Sequence, residues 1–183
     1  MDDEELRRWV DAWSQAYRDD DTPLDNLIYL GHFTREHIHT VNHWKHLPPV
    51  YGWRQYRRDK AFDLLRAHTD DNIRAVTATA FKSPDDWAAL NGLLGLSGIG
   101  YAFASSILMA QDPLRFTVWD QRAVESIRAI SQPKLGAETK QAWIEYLNAC
   151  RSLARRTGFS LRDVDRALYT ANGQLSLPTR NSQ

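Results

Sequence analysis

Apolar residues recur at helical intervals along most of this chain, and that pattern predicts most of its elements. Over residues 3–18, Leu6, Trp9, Val10, Trp13 and Tyr17 share one face, as in an amphipathic helix packed on a core. Asp19-Asp20-Asp21-Thr22-Pro23 closes it as an acidic turn, and residues 24–30 form a short apolar segment ending at Gly31. Phe33-Thr34-Arg35-Glu36-His37 opens a helix to about His46, with Thr34 as its cap. Two helices are predicted over 56–68 and 70–81, the second capped by Asp70 or Asp71. Ser83-Pro84-Asp85-Asp86 starts another, with Ser83 as cap and Pro84 at the first position, running to Leu93 or Leu94. A glycine turn leads into a helix from about Ile99 to Ala110, then an extended connection from Asp112 to Trp119. Helices over 121–130, 137–157 and from Ser160 onward follow, the last with Leu161, Val164, Leu168 and Tyr169 inward. Nowhere is there the sustained alternation of a strand, so the expected fold is all-α.

At 183 residues, a single domain is expected over residues 1–172, and the polar, Gly- and Pro-containing stretch 173–183 reads as a flexible tail. Hydrophobic residues at 43% and charged residues at 25% are ordinary for a soluble globular protein. No apolar run reaches membrane-spanning length, and the acidic start Met1-Asp2-Asp3-Glu4-Glu5 is unlike a signal peptide, so a cytoplasmic, monomeric protein is expected. The single Cys150 suits a reducing compartment and excludes both a disulfide framework and a four-cysteine iron–sulfur cluster. The formal charge is zero, unevenly spread: residues 1–21 hold eight acidic and three basic residues, leaving +5 on the remainder. Local positive surface decides phosphate binding more than the total does.

The stretch on which the chemistry turns is Leu96-Ser97-Gly98-Ile99-Gly100, a glycine hairpin between two apolar helices. Glycine tolerates positive φ and close backbone approach. The second helix opens with small residues, and its first amides, unpaired within the helix, point outward at the positive end of the dipole. Such a surface binds phosphate. Asp120 lies 20 residues after Gly100, at the start of the next helix. An Asp there is also a favoured helix cap, and both roles can coexist.

This hairpin with an Asp at that spacing resembles the helix-hairpin-helix DNA glycosylase superfamily, which includes endonuclease III and the adenine and 8-oxoguanine glycosylases. Trp44-Lys45, Leu96 to Ala110, Pro113 to Arg122 and Leu161 to Leu168 look like a group of small stand-alone bacterial members without an iron–sulfur cluster. The resemblance implies a compact helical fold acting on double-stranded DNA that contains a modified base, with Asp120 as the catalytic carboxylate. It implies that Ser97, Gly98, Ile99, Gly100, Tyr101 and Ala102 anchor a phosphate. It also implies that hairpin carbonyls hold a monovalent cation when DNA is bound, with no other cofactor. Bifunctional members place a Lys two residues after the second hairpin glycine, as a Schiff-base nucleophile; here that position is Ala102. A monofunctional glycosylase is therefore implied, acting on a damaged base in repair or on a hypermodified phage base such as glucosylated hydroxymethylcytosine in antiviral defence.

A second stretch, Leu47 to Arg58, interleaves aromatic residues with arginines after a pair of prolines, a composition suited to unpaired nucleotides. Lys45 and Arg54 are candidate DNA contacts. Trp44, Tyr51, Trp53 and Trp119 are candidates for a base pocket or duplex wedge; the alternative is that Trp44, Trp53 and Tyr56 are core anchors and the arginines are solvated. Five histidines cluster at His32, His37, His39, His43 and His46. His39 and His43 are spaced i, i+4 as metal ligands can be, but no Glu in the metalloprotease arrangement and no Cys accompanies them, so no metal site is expected. The glycine run from Gly92 to Gly100 neither follows a strand nor continues into Gly-Lys-Ser/Thr, which argues against a nucleotide loop. The remaining alternative is a non-catalytic DNA-binding module.

Overall fold

The computed structural model describes residues 1–46, 53–131 and 135–178, apart from the side chains of Trp53, Arg54 and Arg57. The described residues are all-helical, with no strand. In order the helices are α1 (Asp3–Gln15), a 3-10 helix (Thr22–Leu27), α2 (Arg35–Lys45), α3 (Trp53–Leu65), α4 (Asp70–Lys82), α5 (Asp86–Leu94), α6 (Tyr101–Gln111), α7 (Gln121–Ser131), α8 (Lys140–Thr157) and α9 (Leu161–Ala171). The chain divides into two compact units. One comprises Asp19–Pro113; the other joins Met1–Arg18 to Leu114–Gln183.

In the Asp19–Pro113 unit, α6 is buried at every position from Phe103 to Ala110, as its all-round apolar sequence requires. Helices α2 and α5 pack on it, α4 packs on α5, and the 3-10 helix tucks Leu24 and Leu27 inward. Buried Thr77 ties α4 to the approach to α2, its hydroxyl accepting the Phe33 N–H at 2.9 Å. Two caps differ from expectation. Helix α4 is capped by Thr69, because the Asp70 carboxylate instead accepts the Arg35 N–H at 2.8 Å and Arg74 Nε at 2.9 Å. Those bonds, the Arg35 amide foremost, lower the Asp70 pKa. Helix α5 is capped by Asp85, whose side chain accepts from Ala88 at 2.6 Å; Ser83 is taken up in closing α4, which leaves Pro84 outside the helix.

In the other unit, α9 packs on α1, α7 and α8. The predicted apolar face of α1 is buried at Leu6, Trp9, Val10 and Trp13, and Asp2 with Glu5 forms a capping box. Residues 173–178, which composition marks as a tail, are held. Trp9 and Trp13 donate their indole N–H groups to the Gln174 and Ser176 carbonyls at 3.0 and 3.1 Å, and the Gly173 N–H donates to Ser126 Oγ at 2.8 Å. Buried indoles need acceptors, and this segment supplies them. Residues 179–183 lie outside the described residues. No helix among the described residues is long and apolar enough to cross a membrane.

Candidate functional site

The turn between α5 and α6 is tight. Gly98 has φ +88°, and a Cβ there would meet the Ala61 carbonyl oxygen at 2.7 Å and Leu64 Cβ at 3.0 Å. Helix α3 thus lies directly on the turn, and only glycine satisfies both the backbone angle and the space. Gly100 is different: its backbone is extended, as the N-cap of α6, and a Cβ on it would touch nothing within 4 Å.

The predicted phosphate anchors divide by how their amides are used. Ser97 donates to His68 Nε2 at 2.8 Å, and Ile99 donates to the Leu96 carbonyl at 3.1 Å with its side chain in the core. The amides of Gly98, Gly100 and Ala102 donate to nothing among the described residues, and they lie at exposed or half-buried positions. The Tyr101 ring faces Trp87 at 6.2 Å. His68 is held in turn by Asn72 Oδ1 at 3.0 Å from Nδ1, which fixes the tautomer: Nδ1 donates and Nε2 accepts. The Ser97 and Gly98 carbonyls accept no hydrogen bond among the described residues.

In the other unit, Asp120 starts α7 and is half-buried. Its Oδ1 accepts the Arg122 N–H at 2.9 Å, the expected cap, while Oδ2 has no partner among the described residues. The three residues before it are each fixed. Thr117 Oγ1 donates to Asp165 Oδ1 at 2.6 Å, and the Val118 N–H reaches the same oxygen at 3.1 Å. The Val118 carbonyl accepts Tyr146 Oη at 2.7 Å and the Asp120 N–H at 3.0 Å. The Trp119 ring packs against Tyr146 and Trp143, at 5.2 and 6.5 Å between centroids. Asp165, 3% exposed, is paired with Arg162, whose guanidinium also lies over the Tyr17 ring. Burial raises the Asp165 pKa; Arg162 and the two hydrogen bonds oppose this, and the Asp120 charge adds to it.

No protein family, no curated protein and no solved structure matches this sequence.

The pocket and wedge candidates fall differently from the anchors. Trp44 is 8% exposed and donates its indole N–H to Asp21 Oδ1 at 3.0 Å. Trp119 is 6% exposed within its aromatic cluster. Both rings are buried within their own units. Lys45 is half-buried at the end of α2. Tyr51 and the side chains of Trp53 and Arg54 lie outside the described residues. The clustered histidines have local duties: His37 Nδ1 accepts the Thr34 N–H at 3.2 Å, His46 Nδ1 lies 2.9 Å from the Asn42 carbonyl, and the His39 ring lies on Phe62. Sequence reasoning missed His68, Tyr146 and Asp165 as supports of the site. Asp165 left one legible signal: it is a carboxylate on the inward stripe Leu161, Val164, Leu168 of α9.

Proposed function

We propose that this chain is a monofunctional DNA N-glycosylase. It rotates a modified base out of the duplex and hydrolyses the bond between that base and deoxyribose. The observation that carries the reading is Asp120. A carboxylate with one oxygen fixed by a helix amide and the other without a partner among the described residues stands 20 residues after a glycine turn whose amides at Gly98, Gly100 and Ala102 donate to no described residue. Breaking the glycosidic bond builds positive charge on the sugar, which an adjacent carboxylate stabilises. The same carboxylate orients and deprotonates water, so hydroxide adds to the sugar carbon while the base leaves with the bond's electrons and is protonated. In its own unit, the turn offers amides for a DNA phosphate, and a monovalent cation on the Ser97 and Gly98 carbonyls would add positive charge there. With Ala102 where a nucleophilic Lys would stand, the product is an abasic site in an uncut strand.

The cap bond from Arg122 to Asp120 favours a second reading, a non-catalytic DNA-binding module in which the carboxylate only starts α7. Base release by wild type and by Asp120→Asn separates the two. Asn caps a helix as well as Asp does, so the variant keeps the fold and loses only the charge.

A further inference from the structure

We propose that Asp165 is the positioning residue for Asp120, a role that rests on reading Asp120 as the reacting carboxylate. The segment that delivers Asp120 is extended and buried, with no neighbouring strand to satisfy its main chain. Phe116, Thr117, Val118 and Trp119 are all buried, and no strand exists among the described residues. Asp165 takes the place of that missing neighbour. One of its oxygens accepts both the Thr117 hydroxyl and the Val118 N–H, while Tyr146 holds the same residue's carbonyl. That carbonyl also accepts the Asp120 N–H at 3.0 Å, so the grip reaches the reacting residue through a single turn of backbone.

Packing alone does not explain a carboxylate here. Its position on α9 lies between Leu161, Val164 and Leu168, where an apolar side chain would fill the space without desolvating a charge. What an apolar residue cannot do is bind two donors of the connection at once. Arg162, on the other oxygen, neutralises the buried charge and leaves the first oxygen committed to that connection. Fixing a reacting group from behind in this way is worth much in rate, since a misplacement of about 1 Å costs on the order of 100-fold.

Three variants test the grip: Asp165→Leu, which removes the acceptor; Asp165→Asn, which keeps one acceptor oxygen; and Thr117→Val, which removes one donor. Hydrogen exchange of the Arg122 amide, which donates to Asp120 Oδ1, reports the placement of Asp120 without any substrate. Single-turnover base release and DNA affinity report the consequence. The expected result for Asp165→Leu is Arg122 exchange accelerated at least about tenfold relative to amides in the middle of α8, with base release slowed roughly 100-fold and DNA affinity nearly unchanged. Thr117→Val moves both in the same direction by less, and Asp165→Asn restores most of both. A purely structural residue would instead shift all amides and DNA affinity together. Unchanged Arg122 exchange in folded Asp165→Leu overturns the proposal; should that variant not fold, unchanged exchange in Thr117→Val does so. A wild type that releases no base defeats the glycosylase reading alone, because the exchange measurement still judges the grip.

Discussion

The Gly98 backbone lies against Ala61 of α3, so close that a Cβ on Gly98 would sit 2.7 Å from the Ala61 carbonyl oxygen. At Gly100, two residues on, a Cβ would meet nothing within 4 Å. The two hairpin glycines therefore answer to different demands. Gly98→Ala combines left-handed strain with a steric clash and should destabilise the protein by about 2–4 kcal/mol in urea unfolding. Gly100→Ala should cost less, no more than about 1 kcal/mol, the loss of a good N-cap of α6. If the turn holds a phosphate, Gly100→Ala should nonetheless weaken DNA binding in an anisotropy titration, because the new methyl stands where the strand approaches.

His68 holds the Ser97 amide through the one ring nitrogen able to accept it. Phenylalanine at that position cannot accept, so His68→Phe should accelerate exchange of the Ser97 amide several-fold while leaving the middle of α6 protected. Equal protection of Ser97 in both proteins would show that the bond contributes nothing in solution.

The buried Asp165 makes a signed prediction about pH. Its folded-state pKa is raised from the ordinary 3.8, chiefly by burial. A raised carboxylate contributes stability that is fully present below the unfolded pKa and is lost as pH rises through the folded value. The stability of wild type relative to Asp165→Asn should therefore fall as pH rises above about 4, measured by urea unfolding at several pH values. A difference that grows with pH would mean that the Arg162 pair outweighs desolvation. The raised pKa thus makes ionisation of this carboxylate a cost to stability, offset in function by the segment it holds.

Cys150 is fully buried beside Tyr146, and burial pushes its thiol far above the usual range. Thiol reagents should label it only as the protein unfolds, at a rate that follows the unfolded population across a denaturant series. Rapid labelling in native buffer would place the thiol at a surface.

The all-helical architecture was legible because its evidence is local. The stripe from Leu6 to Trp13 on α1 and the inward face of α9 repeat every three to four residues, and the buried residues follow them. Thr34 as the cap of α2 and Ser160 as the cap of α9 were readable for the same reason. Caps failed where a side chain had a distant claim on it: Asp70 is drawn off by Arg35, which no spacing within α4 reveals. The held segment at Gln174 and Ser176 was hidden likewise, since its partners Trp9 and Trp13 lie at the opposite end of the chain. At the candidate site, Gly98 and Asp120 stand out in the sequence, whereas His68, Tyr146 and Asp165 act only through tertiary contacts. The division into two units follows from α1 folding with the C-terminal helices, a pairing of distant segments that length and composition do not encode.

The most direct test is base release, followed by mass spectrometry, from DNAs carrying deaminated, oxidised or alkylated bases and from phage DNA with glucosylated hydroxymethylcytosine. Wild type and Asp120→Asn should be compared on each substrate. A monofunctional glycosylase acting through Asp120 gives a free base from at least one substrate with wild type, none with Asp120→Asn, and strands that break only after alkali. A free base released equally by both proteins, or no free base from DNA that the protein demonstrably binds, would contradict that function.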